Sequence, residues 1–154
     1  IEYARNPSPE KKIFFNELVS SGVDIVYSHH PHVLQPYELI QQNNNTKLIM
    51  YSLGNFISGQ TTLVDPQNPK AKFAYTGDSL IIQADIQVKE AGTPESTCSV
   101  SKITPIPITN FRHSTRGFIV TLLRNMHDAD IPSVWEGYYT ERLSIMEDYL
   151  KNLP

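Results

Sequence analysis

Three of the five histidines in this 154-residue chain fall within four positions, in the run Ser28-His29-His30-Pro31-His32. Imidazole is the commonest side-chain metal ligand, and it also exchanges protons near neutral pH. A residue that precedes proline is pushed toward extended backbone. In an extended chain, residues two apart point to the same side. His30 and His32 are therefore expected to converge on one point while His29 faces away. Two convergent imidazoles make half of a typical coordination set. The plainer reading of a histidine after a strand is a loop residue satisfied by a backbone hydrogen bond, and His29 fits it. His113 and His127 lie in polar contexts and read as ordinary surface residues.

A second cluster is Tyr51-Ser52-Leu53-Gly54-Asn55-Phe56. Gly54 permits a tight turn that a Cβ would oppose. Asn55 would then present its amide from a loop at a strand end, either to a ligand or within a hydrogen-bonded turn. Gln35 can orient a ligand or satisfy backbone groups. Glu2 is the only carboxylate near the N-terminal edge of the site. Asp24, inside the strand, is expected to pair with a neighbour.

The elements that must position these groups follow from pattern and capping. Ser8-Pro9-Glu10 starts a helix: Ser8 as N-cap, Pro9 in the first turn, Glu10 at the positive dipole end. Phe14, Phe15, Leu18 and Val19 are expected on its buried face, and Gly22 is a natural stop. Val23 to Tyr27 reads as a short buried strand, so the histidines leave its carboxyl end. Open α/β sheets place ligand sites at such ends. Leu34 to Leu39 and Leu48 to Ser52 read as strands, with Gln41 to Lys47 as a polar turn between them. Thr61 to Tyr75 reads as a loop without periodicity, with the look of a flap. Ser79 to Lys89 alternates as a strand does, with Leu80, Ile82, Ala84, Ile86 and Val88 on one face. Ser96 to Ile108 is its expected partner, ending in Pro105 and Pro107. Phe118 to Met126 fits helix or strand, and helix is favoured. A terminal amphipathic helix carries Trp135, Tyr138, Tyr139, Leu143, Met146, Tyr149 and Leu150, with Ser133 and Glu136 as its capping box.

Composition narrows the classes. Hydrophobic residues at 40% and charged residues at 19% describe an ordinary globular chain long enough for one core. The formal net charge of −3 argues against nucleic acid as a partner, because duplex binding needs a basic surplus. A single cysteine, Cys98, excludes an intrachain disulfide framework and a Cys-rich zinc site. No apolar run approaches the length of a membrane span. The chain opens Ile1-Glu2-Tyr3 without Met and reads as a processed or shortened piece.

Together the two clusters carry a resemblance. Gly22-Val23-Asp24, then His30-Pro31-His32-Val33-Leu34-Gln35-Pro36, then Tyr51-Ser52-Leu53-Gly54-Asn55-Phe56 resemble the G-A-D, H-P-H-V-L-Q-P and Y-S-L-G-N-F stretches of the CapA family of poly-γ-glutamate capsule proteins. Glu2-Tyr3 is similar to the residues after that family's H-W-G motif. The likeness is specific over residues 1–60 and weaker beyond, where Gly77-Asp78-Ser79-Leu80 is similar to the next segment. Lys11 or Lys12 stands where the family usually has Gln, and Ser28 where it usually has Gly.

The resemblance implies a single domain fragment over residues 1–154. Its expected fold is α/β: the C-terminal half of a metallophosphoesterase-like sandwich with mixed sheets and a C-terminal helix. It implies His30 and His32 as a metal-ligand pair, with His29, Gln35, Asn55 and Glu2 lining the site and no catalytic residue assigned. Divalent Mn, Fe or Zn would be held weakly by this piece alone, because hard cations want several oxygen ligands. The piece alone is expected to be inactive, its site completed by a missing N-terminal half. Two functions follow from the resemblance. One is a metal-dependent hydrolase acting on a phosphoester or on an anionic polymer such as poly-γ-glutamate. The other is a non-catalytic cell-surface module that binds or guides the polymer. The expected location is extracellular, on a membrane-anchored parent.

Overall fold

The computed structural model describes residues 1–128 and 130–154. Helix α1 (Pro9–Ser20) leads into β1 (Ile25–Tyr27), β2 (Leu34–Gln42) and β3 (Asn45–Leu53). A second group follows: β4 (Asp78–Lys89), β5 (Thr97–His113) and β6 (Gly117–Leu122). Helix α2 (Val134–Lys151) comes last. The first sheet has the order β1-β3-β2, with β1 parallel and β2 antiparallel to β3. The second, β4-β5-β6, is antiparallel throughout. This is the α/β arrangement with mixed sheets and a C-terminal helix that the sequence implies.

Strand β3 is the middle of the first sheet, and its apolar run is buried on both faces. Ile49 and Tyr51 pack with Phe15 and Val19 of α1 and with Val26 of β1. Leu48 and Met50 face the other way and pack with Tyr37 of β2 and Val100 of β5. A strand covered on both faces has no need to alternate. The second sheet and α2 share another core, where Leu80 and Phe111 meet Tyr138, Tyr139 and Met146.

Capping of α1 follows the sequence: Ser8 Oγ accepts from the Lys11 amide at 3.3 Å, and Gly22 takes φ +103° just past the end. Phe14 departs from expectation. It is more than half exposed while Phe15 is buried, because the buried stripe is narrower than the apolar spacing suggested. The polar turn is also shorter than expected. Only Asn43 and Asn44 lie in it, both at positive φ (50° and 60°), as a two-residue type I′ hairpin requires. The strands run right up to it.

In the second sheet, β5 runs through Pro105 and Pro107 instead of ending there. The prolines pair with Ile82 and Leu80 on the β4 side, and β6 pairs only from Ile108 onward. Proline is tolerated where a strand lacks a ladder partner on one side. Lys102 and Ile103 sit opposite Ala84 alone, and Lys102 has φ +47°, which marks a bulge. Ile86 and Val88 stay exposed, so the inner face of β4 is covered only as far as Ala84.

Phe118 to Leu122 is strand rather than helix, followed by a 3-10 turn over Leu123–Asp128. Gly117 at φ +76° reverses the chain after β5, so the β-branched run Ile119-Val120-Thr121 pairs back on it. The stretch read as a flap holds two 3-10 turns, Gly59–Leu63 and Lys72–Thr76. Ala74 and Thr76 are fully buried, which anchors that stretch. Ser133 has helical backbone and makes no side-chain cap, so the expected capping box does not form.

One ion pair ties α2 to the second sheet. The Arg142 guanidinium, fully buried, donates through Nε and Nη2 to both carboxylate oxygens of Asp78. Its Nη1 donates to the Pro69 carbonyl at 2.7 Å, and its Cζ lies 4.2 Å from the centre of the Tyr75 ring. Removing one partner of such a pair leaves an uncompensated buried charge. Arg142→Ala is therefore expected to cost about 3–5 kcal/mol of folding stability. Denaturant unfolding of the variant beside the native chain measures it; a loss below about 1 kcal/mol would show that the pair contributes no more than a surface bridge.

Candidate functional site

The histidine segment leaves the carboxyl end of β1, as expected. Its backbone does not take the extended form. His30 has φ +96° and His32 φ +60°, on either side of Pro31. Positive φ is uncommon for any residue but glycine, and such outliers concentrate at functional sites. The two rings nevertheless come together, with centroids 6.2 Å apart. Convergence thus comes from two left-handed residues, not from the period of a strand.

His29 turns away. Its ring packs edge-on against Tyr27 at 4.4 Å, beside an open, mainly apolar hollow of about 320 Å³ lined also by Met50, Leu53, Gly54 and Phe56. Asp24, as expected, pairs with Lys47 of β3.

Asn55 is the second fixed point. Gly54, at φ +78°, bridges to Ser79 of β4. A Cβ at Gly54 would collide with the Asp78 carbonyl oxygen, so only glycine lets the strands approach this closely. Ser79 Oγ donates to the Asn55 carbonyl. The Asn55 amide nitrogen faces three acceptors: the carbonyls of His32 (3.2 Å) and Thr76 (3.1 Å) and Oε1 of Gln60 (3.2 Å). That assigns the amide orientation, and Oδ1 then lies 2.9 Å from His32 Nδ1.

A carboxamide oxygen only accepts, so His32 must carry its proton on Nδ1. Its Nε2 keeps a free lone pair on the open side. Metal-binding histidines almost always donate their other N–H in this way. Glu2 Oε1 stands 3.9 Å from that Nε2, too far for a direct hydrogen bond.

Gln35 does not face the site. It is buried, donates to the Ala4 carbonyl at 2.8 Å and accepts from Lys11 Nζ at 3.3 Å. Lys11 Nζ also donates to the Tyr51 carbonyl at 2.7 Å. Burial pulls the Lys11 ammonium below its usual pKa range. Gln35 therefore pins the N-terminal segment and α1 to the sheet, which is the plainer of its two readings.

Sequence reasoning missed three neighbours. The Tyr3 amide donates to the Pro31 carbonyl at 2.8 Å, fixing Glu2 beside the histidines. The Tyr3 hydroxyl accepts from Gln60 Nε2 at 3.2 Å, so a chain of side chains runs Tyr3–Gln60–Asn55–His32. Thr76, fully buried, supplies the second backbone carbonyl to Asn55. No local pattern signals Tyr3 or Thr76, because their contacts span tens of positions, and Gln60, only five residues from Asn55, is tied to Tyr3 across 57. His113, expected on the surface, is buried. Its Nδ1 accepts from the amides of Thr115 and Arg116, so it holds the β5–β6 turn. It also lines a cavity of about 460 Å³ walled by Phe111, Trp135 and Tyr139, which none of the sequence-selected site residues reaches.

The donors that could hold a metal are therefore His32 Nε2, the His30 ring and the Glu2 carboxylate. Among the described residues, no three His, Cys, Asp or Glu groups stand close enough together to hold an ion. Two imidazoles make at most half of a typical coordination set.

Residues 1–60 match the family described as "Bacterial capsule synthesis protein PGA_cap". The chain is 30% identical over 103 residues to the capsule biosynthesis protein CapA of Bacillus anthracis, covering 66% of this chain and 24% of that protein. It is 31% identical over 108 residues to the PGA biosynthesis protein CapA of Bacillus subtilis (strain 168), covering 70% and 24%. The chain is similar to the CapA family, and it spans about a quarter of the length of these curated relatives. No solved structure matches it.

Nitrogen-resolved NMR checks the tautomer. His32 Nδ1 is expected to resonate as a protonated ring nitrogen in the native chain. In Asn55→Ala the proton should move largely to Nε2, the form free histidine favours. A His32 signal that is the same in both proteins would mean that Asn55 does not set the tautomer.

Proposed function

We propose that the His30–His32–Asn55 end of the first sheet is one side of a divalent-metal centre. In the intact protein that centre would hydrolyse an anionic capsule polymer such as poly-γ-glutamate, or a phosphoester. One observation carries this reading: His32 is locked by Asn55 with its Nε2 lone pair facing out, beside the His30 ring and the Glu2 carboxylate. A histidine with a merely structural role would have no reason to be held in that tautomer at positive φ.

His30 and His32 would hold the ion, Mn, Fe or Zn. Asn55 keeps His32 in its ligating tautomer. Tyr3 holds Glu2 at the rim, where it can accept a proton or join the coordination. A divalent ion bound there would supply an activated water and neutralise charge on the substrate oxygens. The remaining oxygen ligands would come from residues beyond those described here, because two imidazoles hold a hard cation weakly. The reading places the protein in capsule biosynthesis at the cell envelope, on a membrane-anchored parent. No helix among the described residues is long and apolar enough to cross a membrane.

A second reading is a non-catalytic module that binds or guides the polymer. The incomplete donor set favours it.

Elemental analysis of the intact parent protein, beside its His30→Ala/His32→Ala variant, separates the two. The hydrolase reading expects near-stoichiometric Mn, Fe or Zn in the native protein and loss of at least tenfold in the variant, the scale seen when ligand shells are disrupted. A native protein that takes up no divalent metal after reconstitution would leave only the polymer-binding reading.

A further inference from the structure

The cations around the N-terminal segment are almost all engaged. Lys12 pairs with Glu38 at 2.9 Å, Lys47 with Asp24, and Lys70 with Glu141 at 2.7 Å. Lys11 is held by Gln35 and the Tyr51 carbonyl. Arg5 lies 4.2 Å from the centre of the Tyr75 ring.

Lys72, like Arg5, is exposed with no carboxylate within ion-pair distance among the described residues, and it differs in packing on Tyr3, the ring beside His32. Its Nζ sits 4.6 Å from the centre of the Tyr3 ring and 5.8 Å from that of Phe73. The two rings meet edge-to-face at 5.3 Å, and Tyr3 is itself 6.3 Å from the His32 ring. A lysine side chain is ordinarily mobile. Two aromatic faces restrict this one, and its ammonium stays exposed and unneutralised one ring away from His32.

We propose that Lys72 is a specificity-determining residue of this site, taking a carboxylate of the polymer unit next to the one held at His30 and His32. The inference rests on the preceding reading that an anionic polymer is the ligand. A polymer with a carboxylate on every repeat presents a second anion beside the reacting one, whereas a small neutral substrate does not. Tyr3 then has two tasks. Its hydroxyl joins the chain to Asn55, and its ring face positions the ammonium. The 3-10 turn Lys72–Thr76 couples them further, since the buried Thr76 carbonyl accepts from Asn55.

The test is equilibrium binding of short, fluorescently tagged γ-linked glutamate oligomers, chosen to avoid the avidity of long polymer. The proteins are the native chain, Lys72→Ala, Lys72→Arg and Lys89→Ala. Lys89 is an exposed lysine at the far end of β4 and controls for net charge. Lys72→Ala should weaken binding about two- to fivefold at low salt, the range for an exposed ion pair. The difference should shrink as salt screens it. Lys72→Arg should retain binding, and Lys89→Ala should match the native chain. If the native chain binds and Lys72→Ala binds equally well, or if Lys89→Ala loses as much, the role of Lys72 is overturned and the polymer reading stands. If the native chain binds no oligomer, both fall together.

Discussion

The amide of Asn55 is the point on which the two sheets and the histidine loop meet. Its backbone carbonyl accepts from Ser79 of β4, its nitrogen faces the His32 and Thr76 carbonyls, and its oxygen accepts from His32 Nδ1. Each bond alone contributes about 1 kcal/mol. Their value lies in geometry, because a buried carboxamide left unsatisfied costs more than its bonds return. The network therefore forms as a unit, and His32 inherits its tautomer from the way the sheets are joined.

That join has its own support. Gly54 lets β3 run against Asp78 and Ser79, where a Cβ would hold the strands apart. The Asp78 side chain points the other way, into the guanidinium of Arg142 on α2. Burial pushes the Asp78 carboxyl up, and the Arg142 charge beside it pulls it back. A line of contact thus runs from α2 through Asp78 and Gly54 to Asn55 and His32. The terminal helix lies far from the histidines in sequence, yet it braces β4, whose Ser79 holds the Asn55 that bonds His32. A buried ion pair is weak evidence for stability in itself, since a hydrophobic replacement often does as well. Here it also fixes where β4 begins, and so where Ser79 meets Asn55.

Much of this was legible in the sequence. The first sheet was, because Ile25-Val26-Tyr27 and Leu48 to Ser52 are apolar runs too short for helices and bounded by turn residues. The helix at Pro9 was, because Ser8 and Gly22 mark its ends through local chemistry. Strand β6 was not, because Phe118 to Met126 has an apolar pattern that fits both periods, and only its pairing with β5 decides. The continuation of β5 through two prolines was hidden for a similar reason. Whether a strand tolerates proline depends on its neighbours, which the sequence does not display.

The candidate site divides along the same line. His30, His32 and Asn55 announce themselves by type and spacing. Gln35 is of a suitable type, yet the fold turns it inward to Ala4 and Lys11. Tyr3, Gln60 and Thr76 carry no signal, because the Tyr3–Gln60 contact alone spans 57 positions. The two histidine rings also come together by a different physical route from the one expected. Proline at position 31 was expected to extend His30, and instead both histidines lie at positive φ. The Tyr3 bond to the Pro31 carbonyl and the Asn55 bond to the His32 carbonyl hold the loop on either side of that strain. Backbone strain persists only where the surroundings over-determine it. The loop is therefore better understood as held from outside, by Tyr3 and Asn55, than as shaped from within by its own proline.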